Sequence, residues 1–221
     1  HFCSIELGAF YLDVIKDRQY TCKADGLPRR SAQTALYHII EALTRWIAPI
    51  LSFTAEEIWQ TLPGDRSDTV FIEQWYDGLV ELDESQAMNS AYWESVMAVR
   101  SAVSKQLEQL RNEGVVKGSL TAQVTLYADD GLYDQISRLE DELRFVLITS
   151  YASLKPLSEK PSTAVETEVE GLWIEAGAAD QPKCGRCWHH REDVGSHAED
   201  DELCQRCIDN VYGEGETRHF A

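Results

Sequence analysis

Lys183-Cys184-Gly185-Arg186-Cys187-Trp188 and Cys204-Gln205-Arg206-Cys207 form two C-x2-C pairs with sixteen residues between them. That spacing lets two tight knuckles aim four thiolates at one tetrahedral zinc, with Zn–S bonds of about 2.3 Å. Four protein ligands leave no position for water or substrate. The reading is therefore one structural zinc held by Cys184, Cys187, Cys204 and Cys207, which folds the segment and performs no chemistry. Two disulfides are the alternative, as in small secreted domains, and His189, His190 or His197 can stand in for a cysteine. Against disulfides, only six cysteines occur in 221 residues and no apolar leader opens the sequence. An arginine precedes the second ligand of each pair. Arg186 and Arg206, with Lys183, are expected to offset the charge of minus two that four thiolates leave around zinc.

Working outward, the composition is that of a globular chain: 43% hydrophobic, 10% aromatic, with a formal net charge of −18. Such a charge disfavours phosphate binding by the molecule as a whole, because affinity for a nucleic-acid backbone comes from Lys and Arg. The charge is unevenly spread. Residues 1–63 carry 6 basic and 7 acidic groups, 64–100 carry 2 and 8, and 161–182 carry 0 and 5. The acid is expected to lie in connections. The longest apolar runs, near Ile47 to Phe53 and Phe145 to Ile148, are too short for a membrane span. Cysteine usage suits a reducing cytoplasm, with Cys3 and Cys22 read as buried small hydrophobes.

Leu7, Phe10, Tyr11, Val14 and Ile15 recur at helical spacing, so residues 1–21 read as an amphipathic helix already under way at His1, inside a larger protein. After the turn Ala24 to Pro28, a second helix is expected from an N-cap at Ser31 to Pro49. A third starts at Thr54 in a capping box with Glu57, buries Ile58, Trp59 and Leu62, and ends at Pro63-Gly64. Residues 64–84 read as an acidic crossover tethered by Phe71, Trp75 and Tyr76. A long helix from about Ser85 to Glu113 turns Trp93, Val96, Met97, Val103, Leu107 and Leu110 inward and stops at Gly114. Gln123 to Ala128 alternates like a strand, Gly131 to Leu147 is helical, and Ile148 to Leu154 and Val165 to Ala176 read as strands. The expected fold is mainly α: an antiparallel helical bundle over 1–113 with the crossover at 64–84, a small α+β junction domain over 114–180, and a four-cysteine zinc ribbon over 181–221.

Three ordered blocks, Phe10 to Arg18, Arg29 to Tyr37 and Ala48 to Trp59, resemble the anticodon-binding helical domain of class I aminoacyl-tRNA synthetases for aliphatic amino acids. Lys183 to Trp188 with its second knuckle is similar to the C-terminal zinc finger of the bacterial isoleucyl-tRNA synthetases. Ser119-Leu120-Thr121-Ala122 stands where that family carries Ser-Leu-Glu-Ala, with threonine in the place of glutamate. Valyl, leucyl and methionyl relatives share the helical domain's character, but the terminal finger favours isoleucyl. No nucleotide-binding or editing signature is present. The resemblance therefore implies that ATP, magnesium and amino-acid activation belong to an absent N-terminal catalytic domain of the same polypeptide. This stretch would grip the tRNA for isoleucine, with no DNA and no membrane as partners.

Anticodon-loop recognition stacks unstacked bases on aromatic or guanidinium planes and holds phosphates with Lys and Arg. The residues implied for RNA contact are Lys16, Arg18, Arg29, Arg30, Gln33, Arg111, Trp188, His189 and Arg191. For Trp188 the opposing reading is packing beneath the ribbon. For Lys16 and Arg18 it is helix ion pairs with Asp13 and Asp17, and for Arg111 a favourable interaction with the helix dipole. Two other function classes compete. A DNA-repair glycosylase can end in a similar finger, but needs an N-terminal catalytic residue and a basic DNA face. A zinc-ribbon protein adaptor would use the acidic bundle for docking.

Overall fold

In the order of the chain, the elements of the computed structural model, which describes residues 1–198 and 200–221, are helical first and mixed later. A π-helical segment Cys3–Tyr11 leads into α1 (Leu12–Val14), α2 (Lys16–Thr21), α3 (Leu27–Ile47), α4 (Ser52–Thr61) and α5 (Ser90–Asn112). Then come β1 (Ala122–Ala128), α6 (Asp130–Ile136), α7 (Leu143–Leu147), β2 (Tyr151–Pro156), β3 (Val165–Glu166), β4 (Leu172–Ala178) and α8 (Gln205–Tyr212). No described helix is long and apolar enough to cross a membrane.

The strands form one mixed sheet in the order β2-β1-β4-β3, with β1 parallel to β2 and antiparallel to β4. Leu126 sits opposite Leu154 on one side and Ile174 on the other. Period-two alternation puts Ala122, Val124, Leu126 and Ala128 on the buried face of β1. Val96, Val99, Val103 and Leu107 of α5 share a core with that face and with Val14, Ile136, Leu143 and Phe145.

The bundle expected over 1–113 is borne out in part: its helices form, and α5 packs against the sheet as well. The residues divide into two units, His1–Arg29 with Asp83–Ala221, and Arg30–Leu82. That division cuts across the boundaries expected at 113 and 180, because the apolar stripe of α5 lies in the same core as the sheet. The second unit has its own small core of Ala48, Ala55, Trp59 and Val70. Glu41 is buried there, receiving Arg45 Nη1 at 2.5 Å and also Arg66.

Several helix ends differ from expectation for local reasons. The N-terminal segment is helical but not amphipathic through its first turns, where Leu7 N donates to Phe2 O at 2.9 Å and none of Cys3–Tyr11 is buried. Burial begins at Val14 and Ile15, and Cys3 is exposed while Cys22 is buried. α3 begins at Leu27 rather than Ser31, since Pro28 in a first turn lacks only an amide that has no intrahelical acceptor. α4 begins at Ser52, so Thr54 is not its cap; Ser52 Oγ donates to Ala48 O at 2.9 Å. α5 starts at Ser90, because Asp83 draws Ser85 N (3.0 Å) into a turn and Asn89 Oδ1 caps Tyr92 N at 3.0 Å.

Of the crossover aromatics only Tyr76 is tethered by a hydrogen bond, to His38 Nδ1 at 2.5 Å, whereas Phe71 and Trp75 are exposed. The single strand expected over Val165 to Ala176 is a hairpin, turned at Gly171, whose φ of +76° suits glycine. Glu168 and Glu170 therefore lie in the turn. The second knuckle opens α8, and Lys183 bridges to His190 in antiparallel fashion, so the cysteine segment is a knuckle and a helix more than a ribbon of strands.

Candidate metal centre and nucleic-acid interface

Cys184, Cys187, Cys204 and Cys207 are all buried, and their sulfurs lie within 4.8 Å of one another. Cys187 Sγ is 3.8 Å from Cys204 Sγ, far beyond a disulfide bond and equal to the edge of a tetrahedron with metal–sulfur bonds of about 2.3 Å. The turn that makes this possible is local: Trp188 N donates to Cys184 O at 3.0 Å, and Cys204 N points at Cys184 Sγ at 3.4 Å. Hydrogen bonds from Cys204 and Cys207 pull the Cys187 thiol down, and the bond to Cys187, seen from the other side, pushes Cys204 up to about 12 and raises Cys207 as well. Thiolates packed this closely repel one another when no cation is present. A divalent soft-ligand cation is what lets all of them ionise, and the donor set fits zinc. The histidine alternatives are not ligands: the sulfur cluster contains no His189, His190 or His197.

The arginines beside the ligands do more than balance sulfur charge. Arg186 Nη1 stands 4.0 Å from Cys207 Sγ but also donates to Thr21 O at 2.5 Å, at the end of α2. Arg206 is bound to carboxylates, Asp17 at 2.6 and 3.0 Å and Glu216 at 3.1 Å. Arg218 joins both, and Arg144, Arg206 and Arg218 place their guanidinium carbons 3.9, 5.1 and 3.1 Å from the Phe145 ring centroid. Burial, then Arg206 and its neighbours, pulls Arg144 down to about 10. Burial alone would raise the Asp17 carboxyl, but Arg206, with Arg218 and His189, holds it down at about 2. The chain's last three amides, His219, Phe220 and Ala221, donate to Glu142 at 2.6, 2.8 and 2.6 Å.

The residues expected to contact RNA separate into outward and inward sets. Trp188 is 59% exposed, so it is not packed beneath the finger, and Lys183 Nζ lies 5.3 Å from its ring centroid. Its backbone is left-handed, φ 66°, a conformation that costs a bulky residue about 1 kcal/mol or more. A groove of about 500 Å³ runs beside it, lined by Lys16 and Tyr20 of α2, Leu120, Ile148, Arg186 and Trp188. Lys16 is exposed and pairs with Asp13 at 2.8 Å. Arg30 and Gln33 are exposed on α3, Arg29 is half-buried, and Arg111 is exposed with Glu108 at 2.8 Å.

Two of the set turn inward. His189 is 2% exposed, with Nδ1 3.3 Å from Arg144 and Nε2 3.7 Å from Asp17; burial pulls its ring down to about 4. It is a neutral core histidine and not an RNA contact. Arg18 is directed at Glu142, 3.9 Å away, with 12% of its side chain exposed, which removes it from a solvent-facing role. Arg191 is partly spent on Tyr151, its guanidinium 4.8 Å from the ring centroid.

Tyr20, 75% exposed at the groove, carries no signal in the sequence, since nothing in its neighbours distinguishes it from a solvated helix residue. Thr121, in the place of the family's glutamate, accepts from Lys117 N and Gly118 N, both at 3.2 Å, and so caps its own turn.

Residues 1–126 match the family described as the anticodon-binding domain of tRNA ligase, and residues 181–210 match the zinc finger found in FPG and IleRS. The chain is 58% identical over 220 residues to the isoleucine–tRNA ligase of Methylococcus capsulatus. It is also 58% identical over 221 residues to those of Pseudomonas putida strain GB-1 and Pseudomonas aeruginosa strain UCBPP-PA14. Each likeness covers 100% of this chain and 23% of the relative.

Proposed function

The chain belongs to the anticodon-binding-domain family of tRNA ligases, and from that premise we propose that it is the tRNA-gripping portion of an isoleucine–tRNA ligase. The observation that carries the reading is likeness to such ligases along the whole of this chain. In this reading the residues preceding the zinc finger serve as an anticodon-binding helical bundle and an α+β junction. The finger at 181–221 is the zinc-ribbon-type end piece, and the protein works in the cytoplasm. Activation of isoleucine with ATP and magnesium, and its transfer to tRNA, fall to the longer polypeptide.

Physically, the α2–knuckle groove suits one unstacked base. Trp188 supplies an exposed ring fixed by a metal-held turn, and Lys16 supplies a cation at the same groove. Base–aromatic stacking contributes about 1–3 kcal/mol, and it tolerates the acidity of the rest of the molecule because it needs little net charge. Arg30, Gln33 and Arg111 remain exposed for phosphate or base contact. Arg29, half-buried, has less to offer.

The test is binding of the purified chain to the tRNA for isoleucine and to an unrelated tRNA across a salt series. Preference for the former, with affinity falling as salt rises, is the expected result. Equal affinity for both would remove anticodon recognition from this chain. Recovery of a protein partner with no RNA would favour the adaptor reading.

A further inference from the structure

The unit Arg30–Leu82 leaves large apolar side chains in solvent. Phe71 is 55% exposed and Trp75 66%, and they line a groove of about 590 Å³ with Ala48, Pro49, Val70, Arg45, Glu73 and Gln74; Ile50 (82%) and Ile72 (70%) are exposed next to these residues in sequence. Apolar surface of this kind marks an interaction site when it is grouped, whereas single exposed apolar residues need no explanation. Here the groove groups it, by bringing the Ala48-Pro49 corner against the Val70–Trp75 segment.

Charge argues against RNA as the occupant. The unit has 3 basic and 8 acidic residues. Two of the three basic ones are bound internally: Arg45 to Glu41 at 2.5 Å and Glu73 at 3.0 Å, and Arg66 to Glu41. Arg45 lines the groove, but its charge is already met by Glu41 and Glu73, and it stacks over Trp59, 4.7 Å from the ring centroid. A phosphate chain laid on this face would meet net negative charge.

We propose that the groove face lined by Phe71 and Trp75 with Ala48 and Pro49 docks an apolar surface of the ligase polypeptide that lies outside this chain. The inference rests on the proposed function. The chain spans 23% of the length of its relatives, so a much longer protein is available to cover the face within one polypeptide. Contacts between domains of one chain are a usual destination for such surface.

The test is thiol alkylation, followed by mass spectrometry, of Phe71→Cys and Trp75→Cys, each made both in the full-length ligase and in this chain alone, with Cys3→Ser as background. In the full-length protein both sites are expected to react slower by about tenfold or more than in this chain, because a covered thiol reacts only through local opening. Equal rates would overturn the proposal. So would slowing that appears only when tRNA is added, which would make the face an RNA surface, or slowing in the chain alone that grows with its concentration, which would make it a self-association surface. Charging of tRNA with isoleucine by the full-length protein is read in parallel. Equal alkylation rates in an active ligase would sink the docking face and leave the proposed function standing, and an inactive one would count against the function itself.

Discussion

The carboxylate of Asp17 and the guanidinium of Arg206 meet as a two-pronged pair, Oδ1 2.6 Å from Nη1 and Oδ2 3.0 Å from Nη2. Asp17 stands on α2 and Arg206 inside the second cysteine knuckle, so a pair 189 positions apart in sequence binds the finger to the N-terminal helix. Only 14% and 13% of the two side chains is exposed. Removing one partner leaves the other charge buried, which costs about 3–5 kcal/mol. Asp17→Ala is therefore expected to lower the unfolding free energy by that amount in urea titrations with zinc saturating. A loss below about 1 kcal/mol, the range of exposed pairs, would mean that water already screens the contact.

Acid acts on the same pair with a definite sign. Asp17 titrates near 3.8 when unfolded and at about 2 when folded, so its contribution is whole above 3.8 and disappears as the pH falls toward 2. His189 works in a higher window. Its ring, kept neutral by burial, titrates at about 4 against 6.5 unfolded, so the unfolded chain binds more protons between those values and stability declines as pH drops through them. Following the histidine ring by nuclear magnetic resonance checks this; a midpoint near 6.5 would contradict it.

Zinc removal is expected to reach past the finger. Binding energy of about 10–16 kcal/mol in small zinc peptides is largely folding energy. Arg186 and Arg206 carry its loss to Thr21 and Asp17. Chelation should accordingly raise amide exchange in residues 16–22 as well as in 181–221. Exchange that rises in the finger alone would show the two segments to be independent, as a division at residue 180 implies. Elemental analysis should find one zinc per chain, and Cys207→Ser should lose it.

Trp188→Ala is expected to weaken tRNA binding by about 1–3 kcal/mol, a factor of about 5 to 150, without altering its salt dependence, since no charge is removed. Lys16→Gln should instead reduce the slope of log affinity against log salt by about 0.7–0.9. Titrations of both variants at several salt concentrations separate stacking from phosphate contact. An unchanged affinity for the tryptophan variant would exclude the ring from the interface.

What could be read beforehand was whatever has short-range grammar. The cysteine spacing, the stop at Gly114 and the alternation of β1 all survive in the structure, because knuckles, helix ends and pleats are decided within a few residues. The partners of those elements were not legible. Periodicity reveals that α5 has an apolar stripe but not that Val99 and Leu107 meet a sheet instead of other helices. The same limit explains His189. Two residues after a metal ligand and followed by His190 and Arg191 it reads as a surface residue, and only the fold supplies Asp17, Arg144 and Phe145 around its ring. The cap expected at Thr54 is absent for a smaller reason: the helix already starts two residues earlier, at Ser52, which puts Thr54 inside its first turn.

The left-handed backbone at Trp188 sets fitness for one task against fitness for another. Glycine at that site would relax the turn and lose the ring, so Trp188→Gly is expected to fold more stably than Trp188→Ala while binding tRNA no better. A laboratory selection for heat tolerance alone would be drawn toward glycine, and one that also demanded charging would be driven back to the aromatic.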